Sequence, residues 1–222
     1  MNNTVLNLTG VDDATRLERL SAGFASLTEG GALELIGDGS FATLLEPFQA
    51  SDWGAFDWLP LENGPERWRV AVRRVPGGQM RGIGEFMGFD HERCDELYAA
   101  MENAAQAGDL ETTRHCFTAF QVAMTHHFDM EEKRFFPAFE QATGMTQGPT
   151  MVMRMEHRQM LGVIGQMGQA LAGGDVSGVA RAGTTLMVLM RQHNIKEEQM
   201  LYPMGDMHLG NVQPLLKAMQ AV

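Results

Sequence analysis

Cysteine is scarce. Cys94 and Cys116 are the two in 222 residues, too few for a disulfide framework, and their scarcity points to a reducing compartment. Basic residues are outnumbered, 17 against 28 acidic, leaving a formal charge of −11. Such a balance excludes non-specific attraction to nucleic acid or to an anionic membrane. No apolar run reaches the roughly 18–20 residues that a membrane-spanning helix needs. The first residues carry neither a basic n-region nor a long apolar stretch, so no signal peptide is expected and the expected location is the cytoplasm. The Gly-rich phosphate loop, the strand-bound Gly-x-Gly-x-x-Gly and the Gly-x-Ser-x-Gly elbow are also missing, and the chemistries they serve go with them. With 44% apolar and 20% charged residues, the chain has the composition of a folded soluble protein with one large or two small domains.

What is present is unevenly spread. Trp53, Trp58 and Trp68 all precede the loop signal Pro76-Gly77-Gly78, while all seven histidines and every methionine except Met1 follow it. The expected division is an α/β domain at residues 1–75, a linker at 76–83 and a helical domain at 84–222. In the first part, residues 5–8 and 32–36 suit strands. Leu17, Leu20, Phe24 and Leu27 keep a helical period behind Asp12 or Asp13, with Gly30-Gly31 ending the helix. Residues 41–49 suit a short helix. Residues 56–61 and 68–72 alternate as a hairpin. The order β-α-β-α-β-β makes an α+β two-layer sandwich.

The second part contains an internal repeat. Residues 91–137 align without a gap on 157–203. His91 pairs with His157, His127 with His193, Glu131 with Glu197, Glu132 with Glu198 and Pro137 with Pro203, all at one offset. Each unit reads as a helical hairpin turning at Gly108-Asp109 or Gly174-Asp175, with Pro137 and Pro203 expected to stop the second helices. Short turns between long helices give an all-α up-down four-helix bundle. Residues 211–222 suit a short closing helix.

His127 and Glu131, like His193 and Glu197, are four residues apart and share a helix face. His91 and His157 come from the other two helices at equivalent depth. Four imidazoles and two carboxylates then converge in the bundle core. Buried carboxylates facing each other are costly to ionise, and two divalent cations neutralise them. Each metal takes two histidines, and Glu131 and Glu197 bridge. A hydroxide or oxide bridge leaves an open position on each, and the mixed nitrogen–oxygen set suits iron, with manganese and zinc also compatible by ligand type. Glu156 precedes His157 and is the candidate catalytic acid, orienting a histidine or relaying a proton. Asp90, before His91, is expected to be an exposed helix acid. Cys94 is expected to be a small core residue, and Tyr98 and Tyr202 either hydrogen-bond near the site or pack. His126 has Gln192 as its repeat partner and is rejected as a ligand. His115 and His208 lack histidine partners and suit the surface or the outer rim of the site. The run Met151-x-Met153-x-Met155 spreads around a helix, which argues against copper.

Phe89-Asp90-His91, His127 through Glu131-Glu132 to Phe136-Pro137, Glu156-His157-Arg158, and His193 through Glu197-Glu198 to Tyr202-Pro203 together resemble the hemerythrin-like, HHE cation-binding family. The pattern is closest to its four-histidine, two-glutamate di-iron proteins of the iron-centre repair type. Leu161 stands where oxygen-carrying hemerythrins have a further histidine. The resemblance implies two oxo- or hydroxo-bridged iron ions that meet a diatomic gas. The expected activity is nitric oxide binding or reduction under nitrosative or oxidative stress, with an external electron donor. The alternatives are reversible dioxygen binding or sensing, and iron storage or donation for iron–sulfur cluster repair. In the first part, Gly31 to Ile36, Phe56-Asp57-Trp58 and Leu61 through Pro65 and Trp68 to Val70 resemble a TusA-like sulfur-carrier domain. Those carriers use a cysteine at the first helix. This chain has none there, which argues for an accessory, partner-binding or dimerisation module instead.

Overall fold

The computed structural model describes residues 4–39, 41, 44, 55–63, 67–75 and 82–222. Two compact units emerge, Met1–Met80 and Arg81–Val222.

In the first unit, strands β1 (Thr4–Asn7), β2 (Ala32–Gly37), β3 (Phe56–Asn63) and β4 (Trp68–Arg74) form one sheet in the order β1-β2-β4-β3. β1 runs parallel to β2, and the other pairings are antiparallel. A parallel neighbour needs a crossover, and helix α1 (Asp13–Ala25) supplies it. Asp12 caps α1 by accepting from the Thr15 amide at 3.0 Å. The helix stops at Ser26, before the Gly30-Gly31 pair expected to end it, because Ser26 Oγ donates to the Gly23 carbonyl at 2.6 Å. Gly30, at φ +72°, makes the following turn instead. β2 alternates, with Leu33 and Leu35 buried against Leu20, Phe24, Val70 and Val72. The α+β reading and the hairpin are as expected. The short helix expected at 41–49 lies outside the described residues, apart from Phe41 and Leu44, and so does most of the expected linker.

The second unit is the expected bundle. Helices α2 (Ile83–Gln106), α3 (Leu110–Met130), α5 (Pro149–Ala172) and α6 (Val176–Lys196) pack as two hairpins, α2 on α3 and α5 on α6. Contacts of α2 with α6 and of α3 with α5 close the four into a bundle. Both hairpins turn by the same chemistry. Gly108 (φ +73°) and Gly174 (φ +74°) take the left-handed conformation. The Asp109 and Asp175 amides then reach back to the Ala104 and Ala170 carbonyls at 3.1 and 2.8 Å, which satisfies helix-end carbonyls that would otherwise be unpaired. Each aspartate side chain caps the next helix, Asp109 from Thr112 and Asp175 from Gly178.

The prolines do not stop the second helices. Each of these helices passes through one π-helical turn, Glu131–Phe135 or Glu197–Leu201, and resumes as α4 (Phe136–Thr143) or α7 (Tyr202–His208). Pro137 and Pro203 fall in the first turn of the resumed helix, where a missing N–H costs least. α8 (Gln213–Gln220) closes the unit. No helix among the described residues is long and apolar enough to cross a membrane.

Candidate metal centre

Both π turns begin at a glutamate of the site, Glu131 and Glu197. An inserted π turn shifts the side-chain register locally and is frequent at functional positions. It lets each glutamate turn inward one helical turn after its histidine, while the following aromatics, Phe136 and Tyr202, stay buried. All six residues expected as ligands are buried: His91, His127, Glu131, His157, His193 and Glu197.

Their donor atoms form two overlapping sets. Glu131, His157, His193 and Glu197 make one, and His91, His127 and Glu197 the other. In the first, His157 Nε2 lies 3.1 Å from both Glu131 Oε2 and His193 Nε2, and His193 Nε2 lies 3.0 Å from Glu197 Oε1. In the second, His91 Nε2 is 3.3 Å from Glu197 Oε2. Glu197 therefore turns one oxygen to each set. His127 Nε2 lies 3.6 Å from Glu131 Oε2.

The outer nitrogens show the same pseudo-symmetry. Each imidazole donates its Nδ1–H to a carboxylate: His91 to Glu198 at 2.7 Å, His157 to Glu132 at 2.8 Å, His127 to Asp90 at 2.7 Å and His193 to Glu156 at 2.9 Å. An ionised carboxylate only accepts, so the proton sits on Nδ1 and the Nε2 lone pairs point to the centre. Asp90, expected to be an exposed helix acid, is instead buried and paired with the buried Arg93, because the α2 face that carries it is turned to α3. Cys94 is buried, as a core residue would be, with its thiol 3.9 Å from the Asp90 carboxylate. Glu156 does not enter the donor sets; it holds His193 and pairs with Lys196 on the outer side. Glu132 and Glu198 are partners of histidines that the residue spacing does not announce. The repeated Glu-Glu pair was the signal, since the second glutamate of each pair reaches the histidine of the opposite repeat.

The cluster fits cations. His127 Nε2, Glu131 Oε2 and Glu197 Oε1 are buried polar atoms that make no hydrogen bond, which is costly unless something else satisfies them. Two imidazole Nε2 atoms 3.1 Å apart need a proton or a metal cation between them. The titration of the groups expresses the same demand. Burial opposes charging His91, yet its contacts with Glu197 and Glu198 win and raise it to about 9. His193 is also raised: burial again opposes, and Glu197 outweighs it. His127, where burial prevails, drops to about 3. Burial would raise Glu197, but the facing His193 and His91 hold it well below the usual carboxylate range.

Tyr202 belongs to the centre. Its hydroxyl lies 2.9 Å from Glu131 and 3.1 Å from Glu197, and burial followed by the two carboxylates pushes it well above the ordinary phenol value. Tyr98 is remote, with its hydroxyl 3.4 Å from Glu102. His126 is buried but stands outside both donor sets. His115 is exposed, and His208 donates to the Met204 carbonyl. Beside His91, between α2 and α6, opens a cleft of about 590 Å³ lined also by Glu92, Asp95, Arg191 and Glu198.

A duplicated four-helix bundle with a histidine donor facing inward from every long helix and a glutamate from each π turn is the architecture of a cation-binding bundle. The model of the hemerythrin HHE cation-binding domain matches residues 83–205, and the chain belongs to that family. No curated protein and no solved structure matches the chain.

Proposed function

We propose that the bundle holds a non-haem di-iron centre that reacts with a diatomic gas, foremost nitric oxide, in the manner of the four-histidine, two-glutamate proteins of the iron-centre repair type. His157 and His193 serve one ion and His91 and His127 the other. Glu131 and Glu197 would be shared between the two ions. The observation that carries this reading is the pair of donor sets that share Glu197, one carboxylate oxygen turned to each. When bound, two ferrous ions supply one electron each as two nitric oxide molecules and two protons become nitrous oxide and water. The protein's own groups hold the donors in place. Asp90, Glu132, Glu156 and Glu198 fix each imidazole with its proton outward and its lone pair inward. Glu156 is thus a positioning residue acting through His193. Phe128, stacked on His157 at 4.1 Å between ring centres, and the neighbouring Phe136 keep water from the centre. The electron donor is external, and the first unit, a TusA-like module, serves as the docking or dimerisation element in the cytoplasm. Anaerobic nitric oxide added to the reduced protein tests the reading: nitrous oxide in stoichiometric yield supports it, and a stable adduct with no gas product rejects it in favour of gas binding or sensing, dioxygen included.

A second reading, iron storage or donation, draws on the cleft beside His91, whose carboxylates Glu92, Asp95 and Glu198 suit a passing cation. Transfer of iron from the loaded protein to an apo acceptor faster than to buffer would favour it.

A further inference from the structure

The repeat sets Phe136 and Tyr202 at equivalent positions, each directly before a proline. Chemically they differ. The Phe136 ring lies parallel to His157, 5.8 Å away and 18° from coplanar, and brings no donor. Tyr202 is fully buried, its ring centre 5.7 Å from that of His91. Its hydroxyl oxygen stands beside the second donor set, 3.3 Å from His91 Nε2 and 3.1 Å from Glu197 Oε2, and lies 2.9 Å from Glu131 Oε1 of the first. A phenol has one proton to give, so it can satisfy only one of the two carboxylates, and the other stands beside an oxygen that offers it no hydrogen. Two donors each about 2.1 Å from one ion, at right angles, stand about 3.0 Å apart. The Tyr202 oxygen keeps this spacing to all three neighbours, and His91 Nε2 keeps nearly the same spacing to Glu197 Oε2, at 3.3 Å.

The geometry points to Tyr202 Oη as a seventh protein ligand, bound to the ion held by His91 and His127 when that ion is ferric. The inference rests on the di-iron reading above. On ligation the phenol O–H bond breaks, an oxygen–iron bond forms, one proton leaves to solvent and no electron moves. The ion held by His157 and His193 has no counterpart, because Phe136 stands where the hydroxyl would be. The duplication thus carries two unlike irons.

The test uses the full chain, loaded anaerobically with ferrous iron and then oxidised, beside Tyr202→Phe, which copies the residue of the other half. Iron content, visible absorption and resonance Raman are read on both. The expected result is a broad phenolate-to-iron absorption with tyrosinate ring vibrations in the wild type, absent from the variant when the spectra are compared per iron bound. The wild-type Raman spectrum carries the assignment without any variant, since Tyr98, the other tyrosine, lies against Glu102. Two irons in both proteins with identical spectra overturn the inference and leave Tyr202 a hydrogen-bond donor to the bridging carboxylates. A wild-type chain that takes up no more than one iron overturns the dinuclear reading and the ligand assignment with it.

Discussion

The two halves of the bundle carry the same donors on different supports. In the first half, Asp90 holds His127 and is itself paired with Arg93, all three side chains buried. In the second, Glu156 holds His193 and pairs with Lys196, their side chains 25% and 40% exposed. The aromatic before the proline is Phe136 in one half and Tyr202 in the other. Duplication preserved what meets the metal and let the surroundings drift. The lesson is that the inward-facing groups are fixed by a shared chemical demand, whereas each outer acid needs only to accept one proton from imidazole.

The largest effects should come from removing the shared elements. Glu197→Ala strips an oxygen from both donor sets, and iron analysis is expected to show fewer than about one ion bound. His127→Ala removes a donor from one set only and is expected to leave about one ion. Equal losses in the two variants would break the picture of two sets joined by Glu197. Next in size is the difference between the outer acids. Asp90→Ala leaves the buried Arg93 guanidinium without its carboxylate, and denaturant unfolding should show a loss of about 3–5 kcal/mol. Glu156→Ala disturbs a half-exposed pair and should cost less than about 1 kcal/mol. If the two cost the same, burial does not distinguish the halves.

Smaller effects sharpen the comparison at the helix ends. Asp206 accepts from the Ile83 and Gly84 amides at 2.6 and 3.1 Å, capping α2 from α7, while α5 begins at Gly148 with no side-chain cap. Asp206→Ala should cost about 1 kcal/mol by thermal unfolding. The smallest effect is a pH dependence. Hydrogen bonds from the Thr112 side chain and amide hold Asp109 below the usual carboxylate range. Its folded value is depressed, so its contribution is present above the unfolded value of about 3.9 and fades as pH falls through the folded one. Asp109→Asn, which still caps, should flatten that part of an acid unfolding curve.

Much of this was legible in the residues. The constant offset between His91 and His157, His127 and His193, and Glu131 and Glu197 brought the six groups to one depth, and Gly108-Asp109 and Gly174-Asp175 marked the turns. The π turns were not legible, since nothing in Glu131–Phe135 or Glu197–Leu201 breaks a helical period. Proline therefore looked like a stop where it is a restart. The burial of Asp90 is not legible, because one acidic residue beside a histidine does not reveal which face of α2 meets α3; only packing decides that. The role of Glu132 and Glu198 depends on a contact between opposite repeats, which no local spacing encodes.

Iron content of the reconstituted full chain, with Mössbauer spectra, addresses the central idea most directly. About two iron ions per chain, magnetically coupled through a bridge, is the expected result. A single mononuclear iron, or none, contradicts it.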